Sequence, residues 1–186
     1  MSDAEQQAAG AIADQPLVLH TQYIKDLSFE NPNAPRVFTM LQQQAPQMEV
    51  AIDVSANKLQ DRIYEVALKM SAHPTVEGRA VFVIELDYCG LVSIKESVQP
   101  EQVRPLLFIE APSMIFPFAR RIIADATRDG GFPPLLINPI NFAELFRQKQ
   151  YDVEDAASGA APEAPASDAP EAPSDAEASS DAEAKA

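Results

Sequence analysis

Alternating apolar and polar residues dominate the first half of the chain and predict β-strands. Leu17 to Glu30 carries apolar residues at both alternating positions, which predicts a long strand covered on each face for part of its length. Gln47 to Val54 alternates strictly, as a half-buried strand does. Asp61 to His73 and Arg79 to Ile94 continue the alternation. Because short connections join these four strands, we expect an antiparallel sheet.

The spacing of apolar residues changes in the second half of the chain and predicts helices. Between Ser113 and Asp129 apolar residues recur every three or four positions, opposite arginine and aspartate, so this helix would be about 25 Å long. Short helices are expected from Pro100 and from Asn141, whose side chain can cap the first turn. We therefore predict an α+β fold, in which one long and two short helices cover one face of a four-stranded antiparallel sheet.

An apolar segment with three prolines connects the long helix to the last short helix. It spans Phe132 to Ile140 and reads FPPLLINPI. Proline interrupts both helices and central strands, so this segment should lie extended over a hydrophobic surface. Two interpretations are open: a lid over the core, or the wall of a groove.

The two ends of the chain differ in composition from its middle. Residues 1–16 are rich in alanine, glutamine and aspartate without periodicity and predict a flexible tail. Residues 152–186 contain ten acids, one base, four prolines and no aromatic residue, and they predict a disordered tail. One domain, 17–151, is expected between them. The acidic tail either improves solubility or provides a docking site for a basic partner.

The charge of the chain limits its partners and its location. It has 28 acidic and 14 basic residues, and this excess of negative charge argues against nucleic acid or an anionic membrane surface as the main partner. No apolar run approaches the about 18 residues of a membrane span, and the N-terminus is acidic and polar, unlike a secretory signal. We expect a cytoplasmic protein without membrane insertion. The single cysteine, Cys89, is interpreted as a small sheet residue and not as a nucleophile.

No recognisable catalytic or metal motif is present in the sequence. The histidines His20 and His73 are isolated, and metal-binding, phosphate-binding and nucleophile motifs are missing. We expect no enzyme activity, no metal and no cofactor. The sequence offers instead more apolar surface than one small protomer can cover, which predicts self-association through the long helix or through Val81 to Ile84.

Three blocks of sequence resemble the bacterial SecB family of protein-export chaperones. They are TQYIKDLSFENPNAPRVF, AVFVIELDYCGLVSI and IFPFARRIIADATRDGGFPPLLINPINFAELF, in matching order and spacing over about Leu17 to Tyr151. The resemblance implies a homotetramer, built as a dimer of dimers through the long helices. It also implies an ATP-independent chaperone that keeps unfolded precursor proteins competent for translocation and delivers them to the SecA motor.

The resemblance assigns roles to particular residues. The SecA-binding surface would comprise Asp26, Glu30, Val83 and Glu85. The groove for unfolded clients would comprise Phe38, Phe132, Leu135, Leu136 and Phe146. The oligomer interface would comprise Ile115, Phe118, Ile122 and Ile123.

Two features depart from the family pattern. The chain has no tryptophan, whereas the family often has one after the position of Phe38, and the acidic tail is unusually long. Two other functions stay open from sequence: a SecB-like chaperone dedicated to one partner such as an antitoxin, and a carrier of a small hydrophobic ligand.

Overall fold

The computed structural model of the chain describes residues 15–149 and the strand at 153–155. The strands are β1 (Leu17–Glu30), β2 (Val50–Gln60), β3 (Ile63–Ala72), β4 (Thr75–Val76), β5 (Arg79–Ala80), β6 (Val83–Ile94) and β7 (Val153–Asp155). The helices are α1 (Arg36–Met40), α2 (Pro100–Pro105), α3 (Ala111–Asp129) and α4 (Phe142–Gln148). A π-helical turn, Leu106–Glu110, joins α2 to α3.

The main sheet has the strand order β1-β6-β3-β2-β7. Its first four strands pair antiparallel, and the helices lie on one face, so the predicted fold class is confirmed. β7 adds a fifth strand, parallel to β2. These three residues belong to the segment predicted to be disordered, and that prediction is wrong for them because the edge of β2 supplies backbone partners. The remainder of both predicted tails, except residues 15 and 16, lies outside the described residues.

Two strands differ in extent from their predictions. The second was predicted over Gln47 to Val54 but occupies Val50–Gln60, because β3 pairs along its whole length, including a polar stretch without apolar alternation. The fourth was predicted as one strand but divides into β5 and β6. Between them Val81 turns inward, where its N–H donates to the carbonyl of Pro74 at 2.7 Å.

Two irregularities in β1 explain why its apolar residues occupy both alternating positions. The register against β6 shifts between Leu19 and Thr21, and again between Ile24 and Asp26. Each bulge reverses the parity of the side chains that follow it. Leu19, Ile24 and Phe29 therefore all point to the helix-covered face, although strict alternation would separate them. The prediction of a strand covered on both faces is corrected accordingly.

The core lies between the sheet and α3, which crosses β1, β3 and β6. Gly90 lets α3 approach β6 closely, because a Cβ at this position would lie 3.2 Å from Ile115 Cγ2 and 2.9 Å from Leu19 Cδ1. Ile115 and Ile123 are fully buried in this layer. Each is a residue of the helix face that packs on its own sheet.

Candidate functional site

The proline-rich crossing segment, residues 132–141, is held against α3 by hydrogen bonds to its backbone. Thr127 is buried in the last turns of α3, and its hydroxyl oxygen accepts from the backbone N–H of Leu135 at 2.9 Å. Arg120 donates to the carbonyl of Ile137 at 3.4 Å. Gly131, with φ of 89°, makes the turn that directs the chain away from the helix. These contacts fix an extended segment that no sheet ladder supports.

An aromatic cluster lies beneath the start of the crossing segment. Phe132 is only 6% exposed, and its ring centroid lies 5.0 Å from that of Phe82 and 5.2 Å from that of Phe38. Phe29 stacks on Phe82 at 5.6 Å. Phe29 also lies directly against Gly130, where any Cβ would collide with its ring. The cluster therefore supports the crossing segment from below.

A surface cavity of about 410 Å³ opens beside this cluster. We call it the apolar groove, and it is lined by Leu41, Ala45, Pro46, Met48, Pro74, Val81, Phe82, Phe132, Pro133, Pro134 and Leu135. Two residues predicted for the client site, Phe132 and Leu135, line it. Phe38 packs behind Phe132 without lining the groove.

The other two residues predicted for the client site lie outside the apolar groove. Leu136 lies on the crossing segment and is 74% exposed. Phe146 lies on α4, and its ring stacks on that of Phe108 with 6.0 Å between the ring centroids. Sequence reasoning missed Met48 and Pro74, which enter the groove because the loops before β2 and after β3 meet there: Gln47 pairs with Thr75.

Acidic side chains gather on the face of the sheet that the helices leave uncovered. The register pairs Glu30 with Val83, Ser28 with Glu85, and Asp26 with Asp87. Because paired residues of neighbouring strands point to the same face, the four residues predicted for SecA binding share one surface.

This surface, the acidic face, contains a cleft of about 470 Å³. Its charged lining residues are Asp26, Asp53, Lys69, Glu85, Asp87 and Lys149. Lys69 approaches Asp87 at 3.5 Å and Lys149 approaches Asp53 at 2.8 Å, so carboxylates still outnumber ammonium groups. Asp53 and Asp87 were missed from sequence, because they join the site only through strand pairing.

A buried polar cluster lies farther along the same face. The Glu65 carboxylate accepts from Lys25 Nζ at 2.6 and 3.1 Å. Burial, and after it the charge of Glu65, raise the pKa of the Cys89 thiol to about 12. Burial and Glu65 raise the pKa of Tyr23 as well. Cys89 is a fully buried residue of β6, which agrees with its interpretation as a small sheet residue.

The outer side of α3 carries an apolar stripe. Met114, Phe118 and Ile122 follow one another at four-residue spacing, and Phe118 is 47% exposed. Ile115 and Ile123 offer no surface to a second copy, so their assignment to an oligomer interface is wrong. The stripe instead keeps Phe118 and Ile122 of the predicted set and adds Met114.

The edge strand β1 exposes a second apolar surface. Its exposed side chains include Ile24 and Leu27 on the helix side and Tyr23 on the opposite side, and no strand of the described residues pairs with its outer edge. Sequence reasoning missed these residues, because only the strand order reveals that β1 is an edge.

Comparison with known proteins identifies the family of the chain. The family model described as preprotein translocase subunit SecB matches residues 11–152. The protein-export protein SecB of Rhodospirillum centenum is 47% identical over 134 residues, 72% of this chain and 79% of the relative. That of Parvibaculum lavamentivorans is 49% identical over 142 residues, 76% of this chain and 83% of the relative. The chain belongs to the SecB family.

SecB proteins are protein-export chaperones that bind preproteins and the export machinery, and this SecB chain is one of them. Among solved structures, the SecB-like chaperone Rv1957 of Mycobacterium tuberculosis, in complex with a ChAD peptide from the antitoxin HigA1, has a TM-score of 0.54. It is 12% identical, and the match covers 74% of this chain and 97% of that structure, which shows a shared fold. Of the helices that the structure describes, none is long and apolar enough to cross a membrane.

Proposed function

We propose that the apolar groove and the exposed crossing segment bind apolar stretches of unfolded precursor proteins in the cytosol and keep them competent for translocation. The observation that carries this proposal is the groove itself: a surface cavity with an exposed proline-rich wall lies over a buried aromatic cluster. Burial of apolar surface contributes about 25 cal/mol per Å², so several short contacts give useful affinity without a cofactor. The predicted client residues Phe132, Leu135 and Leu136 would contact the client, with Phe38 supporting Phe132 from behind. Phe146, which stacks on Phe108, would contact a client that extends beyond the groove.

Self-association would multiply these contacts. The stripe on α3 and the outer edge of β1 are two separate apolar surfaces, and a dimer of dimers needs two kinds of interface. A homotetramer would present several grooves to one client chain, and multivalency raises the overall affinity while each contact stays weak. Phe118 and Ile122 would lie at the interface formed by α3.

The partner proposed for the acidic face is the SecA translocation ATPase. Asp26, Glu30 and Glu85 would bind a basic segment of that partner, with Val83 adding an apolar contact. The support is their common orientation on a surface that is separate from the groove. A chaperone with two separate surfaces can hold a client while it docks on the motor.

Delayed refolding tests the proposed function. An unfolded precursor of an exported protein is diluted from denaturant into buffer with or without a molar excess of the chaperone. We expect wild type to slow refolding. Met48→Glu, which puts a charge on an exposed side chain in the groove, should reduce this delay severalfold. Gln99→Glu adds the same charge at an exposed site outside the groove and should act as wild type. Equal delays from both variants would contradict the groove assignment.

A further inference from the structure

The edge of β2 carries a strand from the chain's own C-terminal region. β7 pairs in parallel with β2, and the register joins it to Ala56, Asn57 and Lys58. Just before it, Lys149 donates to Asp53 Oδ1 at 2.8 Å and to the carbonyl of Ile52 at 3.5 Å. A side-chain clamp and then a short backbone ladder thus hold the chain along this edge.

Most of this edge has no strand partner. β2 runs from Val50 to Gln60, and β7 accounts for three of its residues. In the part of the chain that the structure describes, no strand pairs with the outer edge of residues 50–55. The free N–H and C=O groups of an edge strand form a template for another extended chain. Addition of a strand to such an edge is an established way of binding peptides.

We propose that the β2 edge binds an extended segment of the client backbone by strand addition, and that β7 is a built-in competitor which the client displaces. This inference rests on the proposed chaperone function and adds a second kind of client site to the apolar groove. The groove would contact side chains, whereas the edge would contact the backbone, which every unfolded protein offers.

The neighbours of the edge define the preferred segment. On the helix side, Val54 and Ala56 are buried and Ile52 is half-buried, so client side chains on that side would extend an apolar layer. On the opposite side the edge borders the acidic face, where Asp53 is already paired with Lys149 and the further carboxylates of the cleft are Asp26, Glu85 and Asp87. A segment that alternates β-branched and basic residues would extend the apolar layer on one side and meet the net negative charge of the acidic face on the other.

Because the hydrogen-bond ladder of β7 is short, a client could displace β7 from β2 at a small cost in free energy. Three paired residues provide few hydrogen bonds, and each contributes only about 1 kcal/mol in water. Its tether nevertheless gives β7 a high effective concentration, so it covers residues 56–58 of the edge whenever no client is present. The part of the edge covered in this way is protected from pairing with other copies of the protein.

The first test compares two truncations by peptide binding. One chain ends at residue 152 and lacks β7, and the control chain ends at residue 158, which keeps β7 but removes most of the acidic tail. The probe is a fluorescent twelve-residue peptide of alternating valine and lysine. We expect it to bind the chain ending at 152 about fivefold more tightly than the control, because the tethered competitor is gone. The same peptide with alternate backbone amides methylated should lose this advantage, since it keeps its charge but lacks the donors.

The second test locks β7 in place. Asn57→Cys and Glu154→Cys place two thiols at paired positions, about 4.8 Å apart between Cα atoms as in any sheet, which a disulfide can span. The oxidised variant should lose peptide binding at the edge, and reduction should restore it. Native Cys89 is buried and does not compete for the disulfide.

The outcomes separate this inference from the proposed function. Equal peptide affinity of both truncations and of the locked variant would overturn strand addition, as would undiminished binding of the methylated peptide. The locked variant should still slow refolding through the groove. A wild type that fails to slow refolding would refute the proposed function, whatever the peptide results.

Discussion

Lys25 Nζ lies 2.6 Å from Glu65 Oε1, and this ion pair joins two strands that are not neighbours. Lys25 belongs to β1 and Glu65 to β3, with β6 between them. The second bulge of β1 falls at Lys25 and directs its side chain across the sheet. The Glu65 side chain is 10% exposed and that of Lys25 is 50% exposed, so the pair is partly shielded from water. It fastens the edge strand to the middle of the sheet.

Removing the charge of Glu65 should therefore destabilise the fold. We expect Glu65→Gln to lower the free energy of unfolding by about 1–3 kcal/mol, because a charge-assisted hydrogen bond is lost in a largely buried place. Urea denaturation at fixed protomer concentration measures this. The control is Asp87→Asn, whose ion pair with Lys69 is longer and more exposed, and which should cost about 0–1 kcal/mol. Equal losses of stability in the two variants would show that the Lys25–Glu65 pair contributes no more to the fold than the Lys69–Asp87 pair does.

The raised pKa of Cys89 predicts a loss of stability in alkali. The thiol titrates near 9.0 in the unfolded chain and near 12 in the fold. A group with a raised folded pKa stabilises the fold fully below its unfolded pKa, and this contribution is lost as pH rises towards the folded pKa. The free energy of unfolding should fall between pH 9 and 12 by up to about 1.4 kcal/mol per pH unit from this group. Urea titrations at pH 8, 9, 10 and 11 measure the slope.

Cys89→Ala isolates this thiol from other groups. Lys25, Tyr23 and Tyr88 also have raised pKa values and act in the same direction in both proteins. The Cys89 charge makes a smaller contribution to the raised pKa values of Lys25 and Tyr23, so the difference between wild type and variant reports on Cys89 together with this coupling. The variant should lose stability less steeply above pH 9. If the free energies of unfolding of wild type and variant fell in parallel with pH, the raised pKa of Cys89 would be contradicted.

Substitutions of Phe132 in the groove and of Leu136 on the exposed crossing segment should differ in their effects on stability and on client binding. Phe132→Ala removes a buried ring from the aromatic cluster and should cost about 3–5 kcal/mol of stability, with weaker client binding as a consequence. Leu136→Ala alters a side chain that is mostly in water, so stability should change by less than about 0.5 kcal/mol while client affinity falls about threefold. Thermal unfolding and client titration measure the two quantities. An unchanged client affinity for Leu136→Ala would remove it from the site.

The acidic face should affect the motor and not the client. Asp26→Ala and Glu85→Ala should each weaken binding to SecA about fivefold, more at low salt than at high salt, because they remove exposed charges from a docking surface. Surface plasmon resonance at two salt concentrations measures this. Asp129→Ala removes an exposed charge at the end of α3, away from the acidic face, and should have no effect. Wild-type binding by both acidic-face variants would refute the assignment.

The stripe on α3 should determine the assembly. Phe118→Glu puts a charge into a predicted interface and should reduce the mass measured by light scattering to that of a dimer or a protomer. Arg121→Glu changes a neighbouring exposed side chain outside the stripe and should leave the mass unchanged. A tetramer mass for Phe118→Glu would show that the stripe faces water or a client.

The helical period predicted α3 well but did not separate its two apolar faces. Ile115 and Ile123 point to the protomer's own sheet, and Phe118 points away, yet all of them fit one broad apolar pattern. Only the position of the sheet decides which face is covered. The same limit applies to the acidic face: alternation places Asp26 with Glu30 and Val83 with Glu85, but the pairing of the two strands joins them. The bulges of β1 and the pairing of β7 depend on partners distant in sequence, which no local pattern encodes.

The prolines of the crossing segment would also affect how a bound chain is released from the groove. The backbone of this wall has no N–H at Pro133, Pro134 and Pro139. It therefore cannot form a continuous ladder of backbone hydrogen bonds with a bound chain. An unfolded chain bound in the proposed groove would therefore leave one side chain at a time, over a series of low barriers. Such a wall would favour rapid transfer to the next acceptor and would resist the growth of fibrils from the bound chain.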